Sequence, residues 1–275
     1  MKSYKNVKEI RRKETLGRRL SLSGLGVLFV GLLASFVPTW LPPDQPAANP
    51  LNLFLQQNWT WISFAALPIG FILASVGSYY INRFARRRWP GIKSIARPDE
   101  LLERSMKGFD DKYAYFAHSL PANYVVSGPC GVLVFAVRSD RSRVNVQGDH
   151  WKEPFTIGRF FTLFAREGLG DPAREIGEQA RKVRSLLTGD GAADEAGADG
   201  DPLSDVPIEG AVVFLNPQAS LTVENPDPPA LRADQVKDFI RSRAKEAKVQ
   251  PDVARRLNER LVQASVHQDE DAASA

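Results

Sequence analysis

Residues 122–151 read ANYVVSGPCGVLVFAVRSDRSRVNVQGDHW, and the fold class turns on them. Tyr124 to Val126 and Val132 to Val137 are apolar, β-branched or aromatic runs. Between them Gly128-Pro129-Cys130-Gly131 supplies the chemistry of a tight turn, so the pair predicts a β-hairpin. Arg143 to Gln147 alternates Val144 and Val146 with polar neighbours, the pattern of a third strand with one wet face. The expectation is a three-strand meander, which needs helices from elsewhere in the chain to cover it.

Working outward, the chain has one cysteine, Cys130, so no intramolecular disulfide can form. His118, His150 and His267 show no ligand spacing and read as ordinary core or surface histidines. Charge is divided unevenly. Residues 1–97 carry a net +11 and residues 98–275 a net −7, so the overall +4 belongs to the front of the chain. The later part has no charge stripe for phosphate beyond a local patch at Arg241, Arg243, Lys245 and Lys248.

The basic front has a membrane explanation. Leu20 to Val37 is free of charge and, at about 1.5 Å per residue, reaches about 27 Å, close to one hydrocarbon thickness. Trp59 to Ile81 is a second uncharged run, with Trp59 and Trp61 at one end and Tyr79 and Tyr80 at the other, where interfacial aromatics belong. Pro68 should kink it, and Gly70 and Ala74 offer a small surface to the first helix. The connector holds no Lys or Arg, whereas Arg83, Arg86, Arg87, Arg88 and Lys93 follow the second run.

By the positive-inside rule this is a cell-membrane hairpin with both termini cytoplasmic. It divides into a basic N-terminus (1–19), a first span (20–40), an extracytoplasmic loop (41–58), a second span (59–81) and a basic linker (82–98). A cleavable signal peptide competes for the first span, with Pro46-Ala47-Ala48 permitting processing. The second span would then stop transfer and keep the remainder inside.

A cytoplasmic α/β domain is expected over 99–265, a mixed sheet flanked by helices. Leu102, Met106, Phe109, Tyr113, Phe116 and Leu120 step by threes and fours, predicting an amphipathic helix from Asp99 that Gly108 weakens. Phe155, Phe160, Phe161 and Phe164 form an aromatic segment that reads as core filling. Asp171-Pro172 is an N-cap and N1 pair opening a helix to about Thr188. Residues 189–205 are acidic, low in complexity and lack the order of a calcium loop, so they read as a disordered insertion.

Ile208 to Leu215 is apolar enough for a central strand, and Leu221 to Val223 for a short edge strand. Helices follow over 233–243 and 252–262, then a disordered tail over 266–275.

Over residues 99–243 the chain resembles the nuclease-related domain (NERD) family, which is restriction-endonuclease-like. The resemblance is carried by the helix around Gly108, the Gly128–Gly131 turn feeding Val132-Leu133-Val134-Phe135, Gly148-Asp149-His150-Trp151, and Asp171-Pro172. It implies an acid at the start of the first hairpin strand and a Glu-x-Lys on the second, two carboxylates holding Mg²⁺ while the lysine positions the attacking water. Counted from the turn, those places are Asn123, Ala136 and Arg138.

Alanine cannot ligate a metal, and arginine is too basic to exchange protons readily near neutral pH. The resemblance therefore implies a relative with no catalytic residues and no cofactor, tethered to the bilayer and binding a cytoplasmic protein or nucleic acid, or acting as a membrane scaffold. The alternative is a Mg²⁺-dependent nuclease whose acids have migrated, for which Asp140 on the strand, and Asp110, Asp111, Glu175 and Glu178 on flanking helices, are the stock.

Overall fold

The computed structural model describes residues 1–44, 46, 48–91, 93–141, 143–154, 169–189 and 202–274. Of the expectations above, the segment Phe155–Phe164 and most of the acidic insertion lie outside the described residues. The described residues form two compact units, one from Met1–Ile10 together with those from Arg86 onward, the other from Arg11–Ala85.

In chain order the elements begin with strand β1 (Lys2–Lys5), helix α1 (Val7–Ser35), a single helical turn α2 (Val37–Trp40) and helix α3 (Pro50–Phe84). Asn49 caps α3, its side chain accepting from the Asn52 amide at 2.8 Å with Pro50 at the first helical position. The helix runs on through Pro68. Val7–Trp40 and Pro50–Phe84 are both long and apolar enough to cross a membrane, with mean hydropathies of 2.2 and 1.7 over their most apolar windows. Only 22% and 17% of those windows is buried, where a core helix of a soluble protein would be mostly covered.

Small residues hold this helical pair together. A Cβ on Gly24 would lie 2.4 Å from the Ala74 amide nitrogen and 2.7 Å from the Gly70 carbonyl, so backbone touches backbone there. Gly17 meets Gly77 and Tyr80 in the same way, and Gly31 meets Ala66. Gly70 and Ala74 thus offer the close approach the sequence suggests. Their counterpart is a seven-residue spacing of glycines on α1, which returns to one face of a helix every two turns.

The other unit continues with β2 (Arg87–Arg88), β3 (Ile95–Ala96), α4 (Pro98–Ser105), β4 (Ala114–Ala117), β5 (Tyr124–Gly128), β6 (Gly131–Arg138), β7 (Arg143–Gln147) and β8 (His150–Lys152). After these come α5 (Pro172–Thr188), β9 (Ile208–Phe214), β10 (Ser220–Glu224), β11 (Ala230–Arg232), α6 (Val236–Ala247) and α7 (Pro251–Ser274). The main sheet is six-stranded and mixed, in the order β1-β4-β5-β6-β9-β11.

The hairpin β5–β6 stands where the sequence puts it, closed by Gly128 opposite Gly131. The φ values of these two glycines, +150° and +76°, are ones that side chains with a Cβ rarely adopt. Every residue of β6 is buried. Val132, Val134 and Ala136 face one way, toward α5, α7 and β7; Leu133, Phe135 and Val137 face the other, toward α4 and α6. The result is a sheet between two helical layers.

Four expectations need correction. The amphipathic helix from Asp99 ends at Ser105, because Gly108 takes φ +98°, and Ala114–Ala117 is a strand buried on both faces. A strand covered on both sides has no alternation, and the helical spacing of Phe109, Tyr113 and Phe116 is accidental. Asp110 and Asp111 accordingly lie in a turn, off any helix.

Next, the meander is β4-β5-β6 and excludes β7. The free edge of β6 is taken by β9 in parallel register, Val132 opposite Ile208 through Arg138 opposite Phe214, while β7 joins β10 and β8 in a separate three-stranded sheet. The first residues, read as a basic anchor, contain β1, which pairs in parallel with β4. Finally, α7 is helical to Ser274, where the sequence reading has a disordered tail from residue 266, and Leu203, inside the stretch read as the disordered insertion, is a core residue, as is Val206 just after it.

Candidate functional site

The positions at which the resemblance places catalytic groups come together on one face of the sheet. β5 starts just after Asn123, and β6 carries Ala136 and Arg138 two residues apart and so on one face. Helix α5 lies across that face. Its start is fixed by Asp171, whose side chain accepts from the Arg174 amide at 3.0 Å, and this sets Glu175 and Gln179 one turn apart on the side toward the sheet. Gly210 on β9 lets the helix sit close, since a Cβ there would be 2.1 Å from Ile176 Cγ2.

Three side chains form a run of bonds that ends on a backbone amide. Arg138 is 6% exposed, and its guanidinium donates to the Leu169 carbonyl from Nε (3.1 Å) and Nη2 (2.9 Å) and to the Val137 carbonyl from Nη1 (3.2 Å). Nη2 also donates to Glu175 Oε2 at 2.7 Å. Glu175 Oε1 accepts from Gln179 Nε2 at 3.0 Å, and Gln179 Oε1 accepts from the Asn123 amide at 2.9 Å. Ala136 is fully buried in an apolar cluster with Ile176, Val212 and Phe214.

A buried arginine is tolerated only when paired and hydrogen-bonded, and Glu175 supplies the charge. Gln179 is the member that sequence reasoning missed. Its signal is the Asp171-Pro172 cap, which fixes the helical face and thereby aligns residue 179 with 175.

This arrangement does not fit a Mg²⁺ centre. Magnesium wants an octahedron of oxygens from carboxylates and water, and here the one carboxylate facing the strand has an oxygen on a guanidinium and the other on an amide, beside a methyl group. The remaining acids are dispersed. Asp140 lies 3.8 Å from Arg87, which also donates to the Ser139 carbonyl. Glu178 pairs with Arg174 on the outer surface of α5, and that hydrogen bond holds its carboxyl below its ordinary value. Asp110 accepts from the Lys112 amide within its own turn. Asp111 is exposed beside a groove of about 810 Å³ between β1, β4 and α7. No three His, Cys, Asp or Glu side chains among the described residues are grouped to hold a metal.

Other reactive types are equally committed. Burial pushes the Cys130 thiol up to about 12, so it is not a nucleophile at neutral pH. His118 is buried against the Tyr124 hydroxyl at 3.1 Å. In the basic patch, Arg241 pairs with Asp238 at 3.5 Å and Arg243 with Glu209 at 3.1 Å, which dilutes the field it presents.

A second polar centre, which the sequence reading did not anticipate, sits at the start of α4. Lys5 bonds Glu103 and lies 3.6 Å from Asp99; Arg97 reaches Asp99 at 3.0 Å; Arg86 reaches Glu100 at 2.6 Å. Burial works to raise the Glu100 carboxyl, but the bonds from Arg86 and the Arg97 amide outweigh it and leave it below its ordinary value. These three acids hold the residues that lead into α1 and out of α3. Compared with family models, with curated proteins and with solved structures, the chain matches none.

Proposed function

We propose that the chain is a membrane-tethered cytoplasmic domain of NERD-like, restriction-endonuclease-like ancestry that works by binding and has no nuclease chemistry. The observation that carries this reading is that Arg138, at the place of the family's lysine, is tied to Glu175 and through it to Gln179, which also accepts from the Asn123 backbone amide, while the place of the strand glutamate is the apolar Ala136. Apart from β7 and β8, which follow β6 and join a separate sheet, the order α4-β4-β5-β6-α5-β9 supports the ancestry, being a helix, a three-strand meander, a crossover helix and a parallel strand. Function resides in a few residues on such a scaffold, so the fold persists when they change.

The membrane part of the reading is supported by the sheet. β1 precedes the helical pair and β4 follows it, yet they are neighbours, which fits a chain that enters and leaves a bilayer on the same side between Lys5 and Ala114. The charge distribution favours the cytoplasmic side for both. The net −7 of residues 98–275 and the pairing of Arg241 and Arg243 favour a protein partner over nucleic acid.

Two measurements on the full chain test this. A reporter active only outside the cytoplasm, fused after Ala275, should stay silent; a strong signal reverses the topology. Titration of the detergent-solubilised chain with duplex and single-stranded DNA at near-physiological salt should show no submicromolar affinity, and tight binding there would overturn the preference for protein.

A further inference from the structure

The end of the helical pair that carries the chain's charge is built as a collar. Gly17 packs on Tyr80, and Lys13 lies over the Phe84 ring at 5.2 Å, so α1 and α3 run antiparallel with Arg18 and Arg19 level with Tyr79 and Tyr80. Residue 17 faces α3. Counting 100° per residue, Arg11 and Arg18 then fall on one flank of α1, and Arg12 and Arg19 on the side turned away from α3. All four are exposed. Arg18 bonds Glu14 at 2.8 Å, whereas Arg11, Arg12 and Arg19 make no ion pair among the described residues. Glu14 is the sole acid in residues 11–19 and 79–85, against six bases, five of them arginine.

We propose that this collar binds the phosphates of anionic phospholipids at the cytoplasmic face, making the tether selective for lipid headgroup as well as for a bilayer. The inference rests on the reading that the helical pair spans a membrane. Tyrosines at the end of a span sit at headgroup level, which puts Arg18 and Arg19 among the phosphates. Arg11 and Arg12 lie two turns further out, about 10 Å away at 1.5 Å per residue, near one Debye length of that plane in physiological salt. Arginine presents a planar fork that grips a phosphate through two parallel bonds, which explains why this collar is arginine-rich where lysine would supply the same charge. A duplex nucleic acid offers phosphates too, but its approach to Arg18 and Arg19 is blocked once the tyrosine level lies in the headgroup layer.

The test uses the full chain reconstituted in vesicles of phosphatidylcholine alone and of phosphatidylcholine with phosphatidylglycerol, reading the lipid retained on the purified protein by native mass spectrometry. Phosphatidylglycerol should be enriched severalfold over its bulk share. With each interfacial arginine contributing on the order of a fivefold preference, Arg12→Gln with Arg19→Gln should bring the retained lipid close to the bulk ratio. Arg12→Lys with Arg19→Lys keeps the charge and should retain part of the enrichment. Retention at the bulk ratio by the unaltered chain, or enrichment unchanged in the Gln pair, overturns the proposal. Displacement of retained lipid by duplex DNA overturns it in favour of nucleic acid. If carbonate at high pH extracts the chain from both vesicle types, the membrane reading itself has failed and this inference with it; insertion into both without lipid preference sinks the inference alone.

Discussion

Replacing Glu175 by Gln isolates the bond on which the functional reading turns. The substitution keeps the shape of the side chain and removes its charge, leaving the buried Arg138 guanidinium with only neutral acceptors, the Leu169 and Val137 carbonyls and the new amide oxygen. Breaking a buried pair from one side costs about 3–5 kcal/mol. Because the Glu175 side chain is 25% exposed, water partly screens it, and we expect about 2–3 kcal/mol. At about 1.4 kcal/mol per decade that is roughly a 30- to 150-fold larger opening constant.

β6 is the place to read it, being buried throughout and bonded on both edges. Amide exchange followed by mass spectrometry on the full chain in detergent reports its opening. Arg138→Met with Glu175→Leu removes both charges and should recover most of the loss, since apolar replacement of a whole buried pair is often neutral. Exchange in β6 within threefold of the parent for Glu175→Gln, or a double variant worse than the single, would refute the reasoning.

Three further predictions follow from the geometry. Gly24→Leu should separate the helices, at about 1–3 kcal/mol for overpacking, and lower the thermal transition of the solubilised chain; Gly26→Leu, where a Cβ meets nothing within 4 Å, gains the same helix propensity and should not. Cys130, its thiol pushed up to about 12, should resist a thiol reagent at pH 8 until denaturant is added, and rapid labelling of the native chain would show that the turn is open. Glu100 is held below its ordinary 4.5, so its contribution is complete above that pH and disappears as the pH falls through the lowered value. Corrected for the intrinsic pH dependence of amide exchange, opening of α4 should therefore rise more steeply below 4.5 in the parent than in Glu100→Gln; parallel profiles would remove the Arg86 bond from the account.

Much of the fold was legible where one local rule acts alone. The β5–β6 hairpin announces itself through its glycines, β9 through its unbroken apolar run, and α5 through Asp171-Pro172. Two rules colliding hid β4, because a strand buried on both faces carries no period and its aromatics happened to fall at helical spacing. β1 was hidden by its lysines: Lys5 is a partner of Glu103 rather than a free anchor, and only Asn6 separates the strand from α1. The place of β7 depended on competition for the edge of β6, a long-range matter that residues 143–147 do not record. At the site, the sequence marks Asn123, Ala136 and Arg138 through the resemblance, and Glu175 is one acid among five. That Glu175 is the one that meets Arg138 follows only from the crossing of α5 over the sheet, which Gly210 permits.

Cleavage tests most directly the proposal that an internal ion pair at Arg138 and Glu175 stands in place of metal chemistry. The full chain, in detergent or nanodiscs, is incubated with supercoiled and linear DNA in Mg²⁺ or Mn²⁺. Both substrates should remain intact, with or without the cation. Reproducible cleavage that disappears on Glu175→Ala or Asp140→Ala, in variants whose β6 exchange shows them folded, would contradict the account and make the chain a nuclease with migrated acids.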